Sequence, residues 1–307
     1  MEPADPFPRL VLRPQALAAG LVDDEIRRRR RRGEWSTLQR GAYLVDPTSL
    51  TRRDRHLLAV RATLAGLRVA AVVSHGSAAA LHGLPLWGLP LGQVHVTRQP
   101  PARSADESRL RSHVARLGPD DVVLRDQIAV TSVARTVVDV ARTASFAAAL
   151  VVADAALAQQ ATTRAQLMAV LAACAGTPGT RSARRVVLAA DARSESVGES
   201  RSRALMLDAG VPLPELQLDV RRPDGRLVGR SDFGWQQERL LGEFDGRVKY
   251  GRLLRPGQDP GDAVFEEKRR EDALRDERWG VVRWVWDELA TPRVLVARWL
   301  RALGRPS

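Results

Sequence analysis

Short alternations of apolar and polar residues mark the last third of the chain. Residues 230–250 read RSDFGWQQERLLGEFDGRVKY. Two alternating runs flank the polar tetrad QQER, the pattern of a β-hairpin with a four-residue loop. Pairing outward from that loop sets Trp235 opposite Leu240, Gly234 opposite Leu241 and Phe233 opposite Gly242. Asp232 and Glu243 make the next pair. Side chains alternate faces along a strand, so Asp232, Glu243 and Asp245 should share one face, with Phe233, Trp235 and Phe244 on the other. Upstream, SESVGESRSRALMLDAG predicts a helix with Glu199 in its first turns and Gly210 as its stop. A strand at 216–220 and a turn at 223–225 lead into the hairpin. A charged helix, EEKRREDALRDERW, and an apolar strand, VVRWVWDEL, follow it. The predicted order over residues 191–307 is α-β-β-β-α-β.

Residues 1–48 carry a different pattern. Ala16, Leu17 and Leu21 predict a short apolar helix broken at Gly20, and Asp23 and Asp24 are capping candidates for a second helix holding Ile26 and Arg27–Arg32. Trp35, Leu38, Tyr43 and Val45 read as a small strand pair. Helix, turn, basic helix and β-wing is the order of a winged helix-turn-helix, whose second helix enters the major groove. Six consecutive arginines point all around a helix, so only part of the run can face DNA; a solvated charge run is the plainer alternative, and the wing-like segment that follows directly favours DNA contact. Arg27, Arg28, Arg30, Arg31 and Arg40 are the candidate DNA contacts. Residues 49–190 read as a mostly helical middle domain, with a strand at QVHVTRQ and helix caps at Thr131–Ser132 and Thr162–Thr163. Its SHGSAAALHG segment offers Ser74, His75, Ser77 and His82, but no nucleophile elbow or acid surrounds them, and capping and packing roles fit better. The whole is an α/β protein of three regions.

The charge balance changes this picture modestly. A formal net charge of +12 points to a polyanionic partner, most simply DNA, although nearly all of it is arginine. Cys174 is the single cysteine, which excludes an intrachain disulfide and a cysteine-rich zinc site. The start, MEPADPFPRLVLRP, lacks the apolar core of a signal peptide, and no apolar stretch reaches membrane-spanning length. A cytoplasmic protein with no membrane association is expected.

The apposition of Asp232 and Glu243 is the chemically informative prediction. Like charges directly opposite destabilise a sheet; at ~5 Å and an effective dielectric of ~20 the repulsion is on the order of 3 kcal/mol. A one-residue slip in register would instead put the two acids on opposite faces. Asp245, opposite Arg230 in the same register, is either a ligand or simply salt-bridged.

Two resemblances bear on this pattern. AxAAG at Ala16–Gly20, the basic helix and LQRGAYLV at Leu38–Val45 resemble the winged-helix domain of AbiE-type abortive-infection antitoxins, which implies a toxin as a partner. The middle region looks like that of actinobacterial proteins with the same N-terminus. The last 110 or so residues resemble the PD-(D/E)xK nuclease superfamily, in particular its very-short-patch-repair-like branch. The matching residues are Glu199, Asp232 with Phe233, Glu243-Phe244-Asp245-Gly246, and a helix pattern met by Glu267, Arg270 and Leu274. This resemblance implies a restriction-endonuclease-like domain that hydrolyses DNA with Mg²⁺ or Mn²⁺. Such an ion turns opposed carboxylates favourable and takes further ligands from phosphate. Asp232 and Glu243 are then the primary metal ligands, with Glu199 orienting a metal-bound water or completing a second site. The superfamily's Glu-x-Lys is Glu-x-Asp here. Lys249 and Lys268, the only two lysines, both fall in this segment; Lys249 is the first choice for the missing base. The alternative is a non-catalytic DNA-binding regulator of antitoxin type with a degenerate nuclease fold, and a third option is an RNA-directed nuclease.

Overall fold

The computed structural model describes residues 10–45, 50–246, 269 and 273–305. The chain divides into two compact units: Met1–Ala144 with Thr162–Arg184, and Ser145–Ala161 with Arg185–Ser307. The first region and most of the second thus share one unit, and two segments of the middle region, 145–161 and 185–190, belong with the C-terminal unit.

The first unit opens with β1 (Leu10–Leu12), α1 (Arg13–Ala18), α2 (Asp23–Arg31), β2 (Trp35–Gln39) and β3 (Ala42–Val45). The strands form an antiparallel sheet in the order β1-β3-β2. Ala16, Ile26, Trp35 and Tyr43 bury together. Ile26 is the only apolar residue of α2, so one side chain fastens an otherwise charged helix. Val22, not an aspartate, is the N-cap of that helix. Asp23 and Asp24 sit in the first turn instead, where their charge offsets the helix dipole, and Asp23 binds Arg13 at 2.7 Å.

The same unit continues with α3 (Arg52–Gly66), β4 (Val72–Val73), α4 (His75–Leu81), β5 (Val94–Arg98), β6 (Ala105–Asp106), β7 (Leu110–Val114), β8 (Val122–Arg125) and β9 (Ile128–Thr131). These strands build a six-stranded mixed sheet, β6-β7-β5-β4-β9-β8. Beside its helices the region thus carries more strands than the one at QVHVTRQ that the sequence predicts. Its strands are two to five residues long, too short for alternation to stand out. Two caps are as predicted: Ser132 precedes α5 (Val133–Thr143) and Thr163 precedes α7 (Arg164–Ala173); Ser145, not among the predicted caps, precedes α6 (Phe146–Ala158). Helix α8 spans Thr180–Ala189.

The second unit holds α6, α9 (Val197–Ala209) and the sheet β10 (Glu215–Arg221), β11 (Leu227–Trp235), β12 (Leu240–Asp245), β13 (Gly280–Val285), in that spatial order. Strands β10, β11 and β12 run antiparallel, and β13 joins β12 in parallel. A helical turn at 273–276 precedes β13, so the α-β-β-β-α-β order is present. One further helix, α10 (Pro292–Ala302), follows and buries Leu295 and Trp299. Helix α9 is capped by Ser196 and stopped by Gly210 at φ 68°. Its Gly198 lies flush on Phe244; a Cβ there would fall inside the ring. Phe233, Trp235, Phe244, Trp284 and Trp299 form the core. Buried Asp154 of α6 ties in α9: it accepts from Arg203 at 2.7 Å and Ser200 at 2.8 Å, and from the Asp191 amide at 2.8 Å. Among the described residues no helix is long and apolar enough to cross a membrane.

Candidate functional site

The hairpin register is the one the sequence predicts: Trp235–Leu240, Gly234–Leu241 and Phe233–Gly242. Arg239, at φ 50°, closes the QQER loop with its amide on the Gln236 carbonyl at 3.2 Å. The ladder stops at Phe233–Gly242. At the next step the Asp232 carboxylate accepts the Phe244 N–H at 2.9 Å. Glu243 meets Arg283, its register partner on β13, at 2.8 Å. The acids set against each other by the sequence pattern are thus separately compensated, one by a backbone amide and one by a guanidinium. Asp245 has its Oδ1 buried with no hydrogen-bond partner among the described residues. The expected partner of Asp245, Arg230, stands opposite Asp219 and binds Glu195.

Glu199 is 7% exposed. Its Oε2 accepts from the Glu195 amide and from Gln217 Nε2, both at 2.9 Å. Burial pushes its proton affinity up, and the neighbouring Asp232 charge pushes it further. Gln217 lies between the pairs Leu216–Phe233 and Leu218–Ser231, hence across from Asp232. It holds φ 56°, an unusual conformation for a non-glycine residue inside a strand. Glu199 and Asp232 are therefore brought together, on α9 and at the open end of the β11–β12 ladder. Glu199, Asp232 and Glu243 do not form a triple with ligand atoms within 4.8 Å; among the described residues the one such group is His75, His95 and His113. Lys249, Lys268, Glu267 and Arg270 lie outside the described residues.

Arg27, Arg28, Arg30, Arg31 and Arg40 are all exposed. Arg27 binds Asp24 at 3.3 Å and Arg28 binds Glu25 at 2.6 Å. Arg29 turns inward, over Trp35 and onto Glu25, while Arg30 covers Tyr43. The sequence reading missed a cavity of about 370 Å³ in the first unit, lined by Arg52, Arg55, Arg109, His56, Gln39 and Gln93 among others. The signal was present in TRRDRHL, where an i, i+3 arginine pair opens α3. It also missed the histidine group. Ser74 makes no capping bond to α4; its hydroxyl meets His75 Nδ1 at 2.9 Å. Packing roles do describe two of its neighbours. Ser77 Oγ bridges His56 Nε2 and the His95 amide, both at 2.9 Å, and His82 Nε2 donates to the Thr131 carbonyl at 2.7 Å.

No protein-family profile matches the chain. Over 176 residues the chain is 31% identical to the uncharacterized proteins MT2308 and Rv2248 of Mycobacterium tuberculosis, from strains CDC 1551 / Oshkosh and ATCC 25618 / H37Rv. The match covers 57% of this chain and 62% of each relative's length. Among solved structures, the crystal structure of the RV2827C protein from Mycobacterium tuberculosis is similar to 71% of this chain and 85% of its own, at 18% identity and a TM-score of 0.40.

Proposed function

We propose that the protein acts on DNA and that its C-terminal unit is a restriction-endonuclease-like domain hydrolysing phosphodiester bonds with a divalent cation. The observation that supports this most is the meeting of Glu199 and Asp232 where the β11–β12 ladder opens, beside a strand whose Asp245 carries an uncompensated buried oxygen. Mg²⁺ is ordinarily held by one or two carboxylates, keeps several waters and takes phosphate oxygens, so a pair suffices. Glu199 and Asp232 would hold Mg²⁺ or Mn²⁺, with Asp245 and Glu243 next along β12. When bound, the ion supplies an acidified water and neutralises charge on the scissile phosphate. The chain's own groups do the orienting: Gln217 and the Glu195 amide fix the Glu199 carboxylate, and the Phe244 amide fixes Asp232. Lys249, beyond the end of β12, is the candidate for polarising the attacking water.

Recruitment falls to the first unit. Helices α1 and α2 with the β2–β3 hairpin act as a winged helix-turn-helix, and Arg27, Arg28, Arg30, Arg31 and Arg40 meet DNA phosphates. Arg52, Arg55 and Arg109 extend that basic surface around their cavity. Such contacts make binding fall steeply with salt. A DNA-directed role places the protein in the cytoplasm.

A purified chain should nick plasmid in Mg²⁺ or Mn²⁺. Asp232→Asn or Glu199→Gln should each slow nicking on the order of 100-fold or more, as loss of a metal-orienting group does. Absence of nicking, or equal nicking by the variants, refutes the catalytic reading. One observation favours a second reading, a non-catalytic antitoxin-type regulator with a toxin partner: the Glu243–Arg283 ion pair places a guanidinium where a cation would compete. That reading requires salt-sensitive duplex binding without cleavage.

A further inference from the structure

We propose that His75, His95 and His113 form a binding site for a nitrogen-preferring transition-metal dication, Zn²⁺ foremost, separate from the acidic site of the C-terminal unit. The residues come together through strand order. His95 lies on β5 and His113 on β7, neighbouring parallel strands with register pairs His95–Arg111 and Thr97–His113. The two rings are thus diagonal neighbours on one face of the sheet, within reach of long side chains. On the other side of β5 runs β4, and the Ser74 amide donates to the His95 carbonyl at 3.0 Å. His75 follows immediately as the first residue of α4, so two adjacent strands and the helix that follows a third deliver one imidazole each.

The donors stand close together, and the stacked His75 and His113 rings must turn out of parallel for their in-plane lone pairs to meet at one ion. One nitrogen of each ring lies within 4.8 Å of the others. His95 Nδ1 and His113 Nε2 are 3.1 Å apart, close to the edge of about 3.3 Å that Zn–N bonds of ~2.0–2.1 Å give a tetrahedron. The His75 and His113 rings stack at 3.7 Å between centroids, 16° from parallel. His75 holds φ 52°; left-handed backbone at a non-glycine residue costs energy and concentrates at functional positions. The Ser74 hydroxyl at His75 Nδ1 is the outer partner that fixes a ligating ring and leaves its other nitrogen for the ion.

Protonation supports the same assignment. Burial, then neighbouring positive groups, holds His95 and His113 down to about 4, and His75 well below its ordinary value. All three are neutral at pH 7 and offer lone pairs, as imidazole ligation requires. Three imidazoles fill three positions of a tetrahedron and leave the fourth to water or an added anion. His113, the least buried of the three, gives access to that position. Imidazole sets select Zn²⁺, Cu²⁺, Ni²⁺ or Fe²⁺ over Mg²⁺, which distinguishes this site from the carboxylate pair.

The test uses the full chain, stripped with a chelator and titrated with Zn²⁺ against a chromophoric competitor. One equivalent should bind, and His95→Ala and His113→Gln should each weaken it at least about 100-fold. Asp232→Asn should leave the stoichiometry at one. Circular dichroism of each variant checks folding. Should a variant fail to fold, Cu²⁺ bound to the wild-type chain decides, because its electron paramagnetic resonance splitting reads the number of coordinated nitrogens. Failure of the wild type to take up Zn²⁺, unchanged affinity in the folded histidine variants, or a copper signal with fewer than three nitrogens overturns the site. A stacked packing cluster is then what remains.

Discussion

The histidine cluster of the first unit and the carboxylate group of the second reach opposite solutions to burying titratable side chains. The imidazoles shed their charge and stack, so three donors lie within 4.8 Å of one another, two of them at 3.1 Å. Among the described residues the acids meet different counterparts: Asp232 an amide, Glu243 Arg283, Glu199 Gln217 and a backbone N–H. Neutral donors can converge without a cation, and anionic ones recruit whatever positive or hydrogen-bonding group is nearest. A converged histidine triad and a dispersed carboxylate triad are therefore compatible with metal sites of different hardness.

Three changes test that contrast. The largest effect belongs to Gly198→Ala. A methyl group there collides with the Phe244 ring, and overpacking of this kind costs about 3 kcal/mol or more. Denaturant unfolding should show it, with loss of any Mg²⁺-dependent nicking, because α9 carries Glu199; unchanged Zn²⁺ uptake would confine the damage to the carboxylate side. Next is acid sensitivity in metal-stripped protein. The histidines' folded values lie below the usual 6.5, so their contribution to stability is present above 6.5 and lost as pH falls toward about 4. His95 alone should cost about 2 kcal/mol by pH 5. A melting temperature flat from pH 7 to 5 would show that the rings are not held neutral. The smallest change is Glu199→Gln. The folded carboxyl holds its proton above the ordinary value because of burial and Asp232. Its favourable contribution thus exists below that ordinary value and is lost as pH rises through the raised one. The uncharged amide oxygen can still accept from Glu195 N and Gln217. Near neutral pH the variant should melt higher than the wild type, with Mn²⁺ reversing the order. A variant that melts lower without metal would contradict the strained-carboxylate account.

Local pattern disclosed the hairpin because its pairing, loop and alternation all lie within ten residues, Trp235–Leu240 at the centre. Helix α9 was equally readable from its Gly210 stop, whose role depends only on adjacent backbone. The six-stranded sheet escaped because β4 and β6 have two residues each, and a period of two cannot show in two positions. Helix α10 was missed although Leu295, Trp299 and Leu303 repeat at i, i+4 and i+8 behind Pro292. The run WVWDEL drew the reading toward a strand end. Among the site residues, the acids were found because motif spacing is local. The histidines stand 20 and 18 positions apart, and only the pairing of β5 with β4 and β7 joins them. Nor could spacing reveal that Arg283 neutralises Glu243, since that contact depends on a parallel strand added forty positions later.

Helix α6 has a consequence for how the polypeptide can be cut. It belongs with residues 185–307, yet 162–184 return to the first unit before the chain resumes. A recombinant fragment trimmed at 190/191, the boundary linear reading suggests, would leave α6 behind, and Asp154 with it. Arg203, 8% exposed, would then lose the carboxylate it is buried against. During synthesis on the ribosome, α6 likewise emerges well before the strands it serves and must wait for them. The C-terminal unit is thus a discontinuous product of the gene, and truncation boundaries drawn from it must start no later than Ser145.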